Sequence, residues 1–171
     1  MRKHWTEKLV NMHACKEAVK WSKQYATLQE AWDVCDQPTW DVCDQPTWMI
    51  WLLNRTQPAS TETHHAYVRI ACAEARLALT YNKDHRVLTY IETVEGWERG
   101  ERTQDEVNVA QAAIGNVAWN EAWVIWAVWN AGWAAESAAG YAAKDAIRKQ
   151  CCDIIRKEFP EQKAFYEYIY R

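Results

Sequence analysis

The sequence predicts an all-α protein, and three observations carry that expectation. Glycine and proline are scarce, 5 and 4 in 171 residues, so few positions force the chain out of helix. No run alternates polar and apolar residues as a half-buried strand would. Helix-start signals, in which a short polar side chain precedes an apolar period, recur along the chain. The expected architecture is a single domain, residues 1–171, long enough to bury a core of its own. It reads as a bundle of about six to eight helices with a long Trp/Ala-rich helical region toward the C-terminus.

Taken in order, Asn11 is expected to cap a segment carrying Cys15, Ala18 and Val19. Thr27 with Glu30 three residues on forms a capping box for the helix of Leu28, Ala31, Trp32 and Cys35. After Thr47 the stretch WMIWLL reads as a short apolar helix buried on most sides. RTQPASTETHH reads as a loop, with Thr61 or Thr63 opening a helix through Tyr67, Ile70, Ala73, Arg76 and Leu77 to Tyr81. Asp84 is expected to cap the next helix, through Val87, Leu88, Ile91, Val94 and Trp97, which Gly100 ends.

Thr103 and Glu106 form a second capping box. No proline follows until Pro160, and an unbroken helix of that length exceeds the globular range, so a break is expected near Gly132 or Gly140. Ala134, Ala138, Ala142 and Ala146 recur at four-residue spacing, a stripe that lets another helix approach closely. A last helix from Glu161 carries Ala164, Phe165, Tyr168 and Ile169 on one face.

A formal charge of -3 and a sequence pI near 6.0 supply no bulk attraction to phosphate, so nucleic-acid binding is disfavoured. MRKHWTEKLV has Glu7 and Lys8 where a signal peptide needs an apolar run, and no stretch approaches the roughly 18 apolar residues of a membrane span. The expectation is a cytoplasmic protein without membrane contact. The 6 cysteines have no disulfide-framework spacing and read as reduced, mostly buried thiols.

The unit DVCDQPTW occupies residues 33–40 and recurs unchanged at 41–48. Repeat architectures have periods of roughly 20 to 50 residues and need about three copies, so this is read as a local insertion from a recent in-frame duplication. Inside a continuous helix, eight extra residues would rotate everything downstream by about 80°. Because each copy brings its own Pro and its own Thr cap, the unit can be looped out instead. A functional pair of Asp/Cys ligand motifs mixes hard and soft donors without a converging set.

Of 12 tryptophans, Trp119, Trp123, Trp126, Trp129 and Trp133 fall within an arc of about 120° at about 100° per residue. They share one helix face. That face is either core filling between helices or an exposed aromatic surface that grips a partner. Arg148, Lys149, Arg156 and Lys157 form a modest positive zone, and Arg148 and Arg156 join the stripe as candidate partner contacts.

No catalytic constellation is recognised. His64 and His65 are adjacent and diverge on a helix, which does not make the i, i+4 metal-binding pair. Glu92, Glu95, Glu158 and Glu161 read as solvated carboxylates, and neither a phosphate loop nor a nucleophile elbow is present. The reading is therefore a non-enzyme without metal or cofactor.

Several stretches, in order, resemble a loosely defined group: immunity proteins of bacterial polymorphic-toxin systems, with related phage and prophage helical proteins of unknown function. They are ACKEAVKW, the segment ending in WMIWLL, ACAEARLAL, DHRVLTYIETVEGWERGERTQDE, the Ala/Trp-rich helix and CCDIIRKEFP. The group's pattern has one copy of the turn before WMIWLL, and this chain has two. The resemblance implies a small helical protein that binds and neutralises a protein effector, either a toxin or a host defence component. It carries over no site residues. Two other uses stay open, a small-ligand sponge that stacks a nucleotide on Trp faces and an architectural homo-oligomer joined through the Ala stripe.

Overall fold

The computed structural model describes residues 4–35, 48–81, 85–114, 135 and 144–170. Among them lie nine α-helices: α1 (Thr6–Asn11), α2 (Lys16–Ser22), α3 (Leu28–Val34), α4 (Trp48–Thr56), α5 (Thr61–Leu79), α6 (His85–Glu98), α7 (Gln104–Ile114), α8 (Lys144–Glu158) and α9 (Lys163–Tyr170). The described residues include no strand. The all-α class stands, and the helix number exceeds the expected six to eight because the N-terminal segment is divided more finely than its sequence suggests.

The division occurs at His13, which sits in the left-handed region at φ 62°. There the Ala14 N–H reaches back to Leu9 O at 2.9 Å and the His13 N–H to Val10 O at 3.0 Å. This is a Schellman ending for α1, and it satisfies carbonyls that a helix terminus would leave open. Asn11 is thus the last residue of α1 and caps nothing downstream; α2 starts after Cys15 with no side-chain cap.

Other caps follow the sequence. Thr27 Oγ1 accepts from the Glu30 N–H at 3.1 Å. Thr103 and Glu106 close a reciprocal box, Glu106 N–H to Thr103 Oγ1 at 3.3 Å and Thr103 N–H to Glu106 Oε2 at 2.7 Å. These bonds hold the Glu106 carboxyl below its ordinary range, the Thr103 backbone N–H contributing most. Ser60, rather than Thr61 or Thr63, caps α5, its hydroxyl accepting from the Thr63 N–H at 3.1 Å. Asp84 lies outside the described residues.

Gly100 ends α6 at φ 76°, with the Glu101 N–H bonded to Gly96 O at 2.7 Å. Gly96 lies under the same turn: a Cβ there would stand 2.7 Å from Arg102 Cγ, so a side chain at this position would push the Arg102 side chain aside.

One continuous core takes side chains from all nine described helices, from Leu9 on α1 to Phe165 on α9. As WMIWLL suggests, α4 is buried on most sides: Met49, Ile50, Trp51, Leu52 and Leu53 are all buried. On α9 the expected face is covered in part, with Phe165 fully buried and Tyr168 exposed. Cys35, Cys72, Cys151 and Cys152 are buried cysteines in no disulfide, and Cys15 is half-buried. Burial pushes the Cys72 thiol up to about 12.

Helices α5 and α6 run antiparallel, as their ion pairs record: Arg69 meets Glu98 at 2.7 Å while Arg76, a turn and more further along α5, meets the earlier Glu95 at 2.7 Å. Arg69 also reaches Glu158 on α8 at 2.8 Å. Glu95 and Glu158 are therefore partners of arginines between helices and not the solvated carboxylates of the sequence reading. Helix α7 packs on α6, α8 on α5 and α4, and α9 on α4.

Candidate functional site

Helices α1 to α4 enclose a cavity walled by Leu9, Ala18, Trp21, Leu28, Ala31, Trp32, Cys35, Trp48, Met49, Trp51 and Leu52, with Ala14 and Ser22 completing it. Its volume is about 40 Å³, and it opens in part to solvent. The walls are apolar apart from Ser22, and none of these side chains carries a formal charge.

Each tryptophan arrives by a different route. Trp32 is buried on α3, and its indole N–H donates to Phe159 O at 2.9 Å. Trp48 and Trp51 lie three residues apart on α4 and so share a face. Trp21 on α2 packs against Trp48 with ring centroids 5.4 Å apart and against Tyr25 at 4.8 Å. Arg55 lies over the Trp51 ring, its guanidinium carbon 4.4 Å from the centroid, a cation–π contact that fixes this wall from outside.

The Trp48 indole N–H is buried and finds no acceptor among the described residues. An orphan donor of this kind costs about 1–3 kcal/mol. An acceptor brought in by a bound group would recover that cost. The cavity therefore combines apolar walls with a neighbouring donor that lacks its bond, the usual composition of a recognition pocket.

Helix α3 is held in place from the far end of the chain. Gln29 donates to Pro160 O at 2.9 Å and accepts from the Gln162 N–H at 3.0 Å. Arg156 donates to Cys35 O at 2.7 Å and to Trp32 O at 3.2 Å, with Asp153 at 2.6 Å as its counter-charge. A helix C-terminus leaves carbonyls in need of donors. Arg156 supplies one to Cys35 O and a second bond to Trp32 O, which also accepts from the Cys35 N–H at 3.3 Å, at an end where a cation is favoured by the helix dipole.

Of the residues nominated from sequence, Arg156 is thus engaged within the fold, only 18% of its side chain being exposed. Arg148 lies on the same helix and is half-buried. Trp119, Trp123, Trp126, Trp129 and Trp133 lie outside the described residues, as do Ala134, Ala138 and Ala142 and the breaks expected at Gly132 and Gly140; Ala146 is exposed on α8. The cavity was not foreseen. Its one sequence signal is the Trp48 and Trp51 spacing, which the uniformly apolar run around it conceals.

His64 and His65 both pack on Trp97, ring centroids 6.1 and 5.6 Å away, and His65 Nδ1 lies 3.4 Å from Glu98. Among the described residues no group of three or more His, Cys, Asp or Glu is arranged to hold a metal, and no helix is long and apolar enough to cross a membrane. Comparison of the chain with protein-family models, with curated proteins and with solved structures returned no match.

Proposed function

We propose that the protein is a non-enzymatic binding protein that neutralises a protein effector by stoichiometric association, and that the tryptophan-walled cavity seats an anchor side chain of that effector. The observation that carries this is the cavity itself: apolar walls, partial opening, and the orphan Trp48 donor beside it. Aromatic-lined pockets that desolvate an inserted side chain are where binding energy concentrates. The resemblance to toxin-immunity and phage helical proteins supplies the setting, a cytoplasmic conflict between a bacterium and a toxin or phage.

The size of the cavity argues for the class of ligand. Room of about 40 Å³ suits the end of a short side chain whose oxygen, or whose neighbouring backbone carbonyl, accepts from Trp48, whereas drug-sized or nucleotide ligands occupy pockets of roughly 300–1,000 Å³. No Arg or Lys stands among its walls to hold a phosphate. Nucleotide stacking therefore draws no support from this site.

The test is capture of the tagged protein from bacterial lysate, with and without phage infection, followed by titration of the captured partner against Ala14→Val. Ala14 is half-buried, lines the cavity and packs against the core, so the added methyls narrow the cavity, and the variant's thermal unfolding curve is measured beside the titration to separate binding from folding. The reading expects one stoichiometric protein partner whose affinity falls about tenfold, or about 1.4 kcal/mol. A co-purifying small molecule, or a partner whose affinity ignores the variant, would overturn it.

A further inference from the structure

The cavity wall also holds one half of a thiol pair. Cys35, at the end of α3, is 3% exposed and Cys152, on α8, is 0% exposed; both belong to the same buried cluster. Arg156, one turn beyond Cys152 on α8, reaches the carbonyl of Cys35 at 2.7 Å, which brings the end of α3 onto the face of α8 that carries Cys152. The end of α3 and the Cys152 face of α8 therefore lie side by side, with both sulfurs in one buried cluster. The two cysteines are separated by most of the chain and come together only in the folded protein.

We propose that Cys35 and Cys152 are a peroxide-oxidisable pair that closes into an intramolecular disulfide and fastens α3 to α8. The inference goes beyond the binding reading and does not depend on it. Cys35 borders the cavity, whose room admits a molecule the size of hydrogen peroxide and excludes a bulky organic hydroperoxide. Interaction with Cys35, followed by burial, pushes the Cys152 thiol up, with Arg156 acting in the opposite sense. Cys35 lines the cavity and Cys152 does not, so Cys35 is the sulfur that meets the oxidant.

The chemistry balances in two steps. The Cys35 sulfur attacks one peroxide oxygen, the O–O bond breaks, and the thiol proton leaves with the other oxygen as water, giving a sulfenic acid. The Cys152 sulfur then attacks the Cys35 sulfur: the S–S bond forms, the S–O bond breaks, and the hydroxyl leaves with the Cys152 proton as a second water. The peroxide is reduced by two electrons and the two sulfurs are oxidised.

The experiment exposes the folded full-length protein to hydrogen peroxide or to cumene hydroperoxide, alkylates remaining thiols under denaturing conditions, and maps cross-linked peptides by fragmentation. Expected are the loss of two alkylation sites, a linkage of Cys35 to Cys152 with hydrogen peroxide but not with cumene hydroperoxide, and a Tm raised by several degrees until dithiothreitol reverses it. Cys43→Ser and Cys151→Ser should retain the linkage and Cys152→Ala should lose it, with helicity checked by circular dichroism. Thiols that stay fully alkylatable, a linkage through Cys43 or Cys151, or an unchanged Tm with the linkage formed would overturn the proposal, and the mapping on the unaltered chain decides it even where a variant fails to fold.

Discussion

Arg69 on α5 donates to Glu158 at the end of α8 over 2.8 Å, across 89 residues of chain. The same guanidinium donates to Glu98 at 2.7 Å. Glu98 and Glu158 are the last residues of α6 and α8, the ends where a helix dipole disfavours negative charge. One cation thus offsets two poorly placed carboxylates, 14% and 18% exposed, and ties three helices together. Arg69→Met should cost about 2–4 kcal/mol, because the carboxylates are left facing each other partly desolvated. Urea denaturation checks this, and adding Glu98→Gln and Glu158→Gln to the variant should restore part of the loss.

Acid should weaken the α5–α6 pair in a defined direction. The Arg76 hydrogen bond, followed by its charge, holds the Glu95 carboxyl below its ordinary range despite partial burial. A carboxylate with a depressed folded-state pKa contributes stability that is fully present above its unfolded pKa of about 4.3 and is lost as pH falls through the folded value. Glu95→Gln should therefore flatten the fall in stability below about pH 4.5 and cost about 0.5–1 kcal/mol near neutrality. Denaturation curves at stepped pH would show an unchanged acid slope if the pair contributes nothing.

Two left-handed positions should respond in opposite directions. His13 is a side-chain-bearing residue at φ 62° and Gly100 is a glycine at φ 76° with open space around the missing Cβ. His13→Gly should stabilise by about 0.5–1 kcal/mol and Gly100→Ala should destabilise by about 1–2 kcal/mol, both through the backbone alone. Equilibrium unfolding of the two variants side by side makes the comparison.

Removing one copy of DVCDQPTW should leave the fold intact. Deleting residues 33–40 or 41–48 gives the same chain. Cys35 and Trp48 border one cavity, so their connection does not have to span a long distance. It shortens from twelve residues (36–47) to four, which favours folding by about 1 kcal/mol from loop closure. A cooperative thermal transition at an equal or higher temperature is expected, and its disappearance would show that the extra copy is structural.

The local chemistry of helix starts and stops was legible because it acts over three or four residues. Thr27 with Glu30, Thr103 with Glu106, and Gly100 each carry in their spacing the bond they make. The buried character of WMIWLL was equally plain from its uniform apolarity. Asn11 misled, since a polar residue before an apolar period fits a helix end as well as a helix start, and the left-handed turn at His13 leaves no mark in residue type.

The candidate site was legible least. Trp21, Trp32, Trp48 and Trp51 lie on three helices, and no spacing along the chain records that they wall one cavity. Arg156 read as a partner contact and Arg69 drew no reading, because the sequence does not show which carboxylates and carbonyls long-range folding brings to them.

By itself, then, the sequence determined the all-α class, two capping boxes and the apolar α4 segment, because helix periodicity and capping are properties of neighbouring residues. Tertiary structure alone decided that Arg156 reaches the end of α3 from α8, that Arg69 closes the ends of α6 and α8, and that four tryptophans enclose a cavity. Those contacts join residues up to 124 positions apart in numbering, from Trp32 to Arg156, and only the packing of helix faces against one another sets which side chains meet across such a distance.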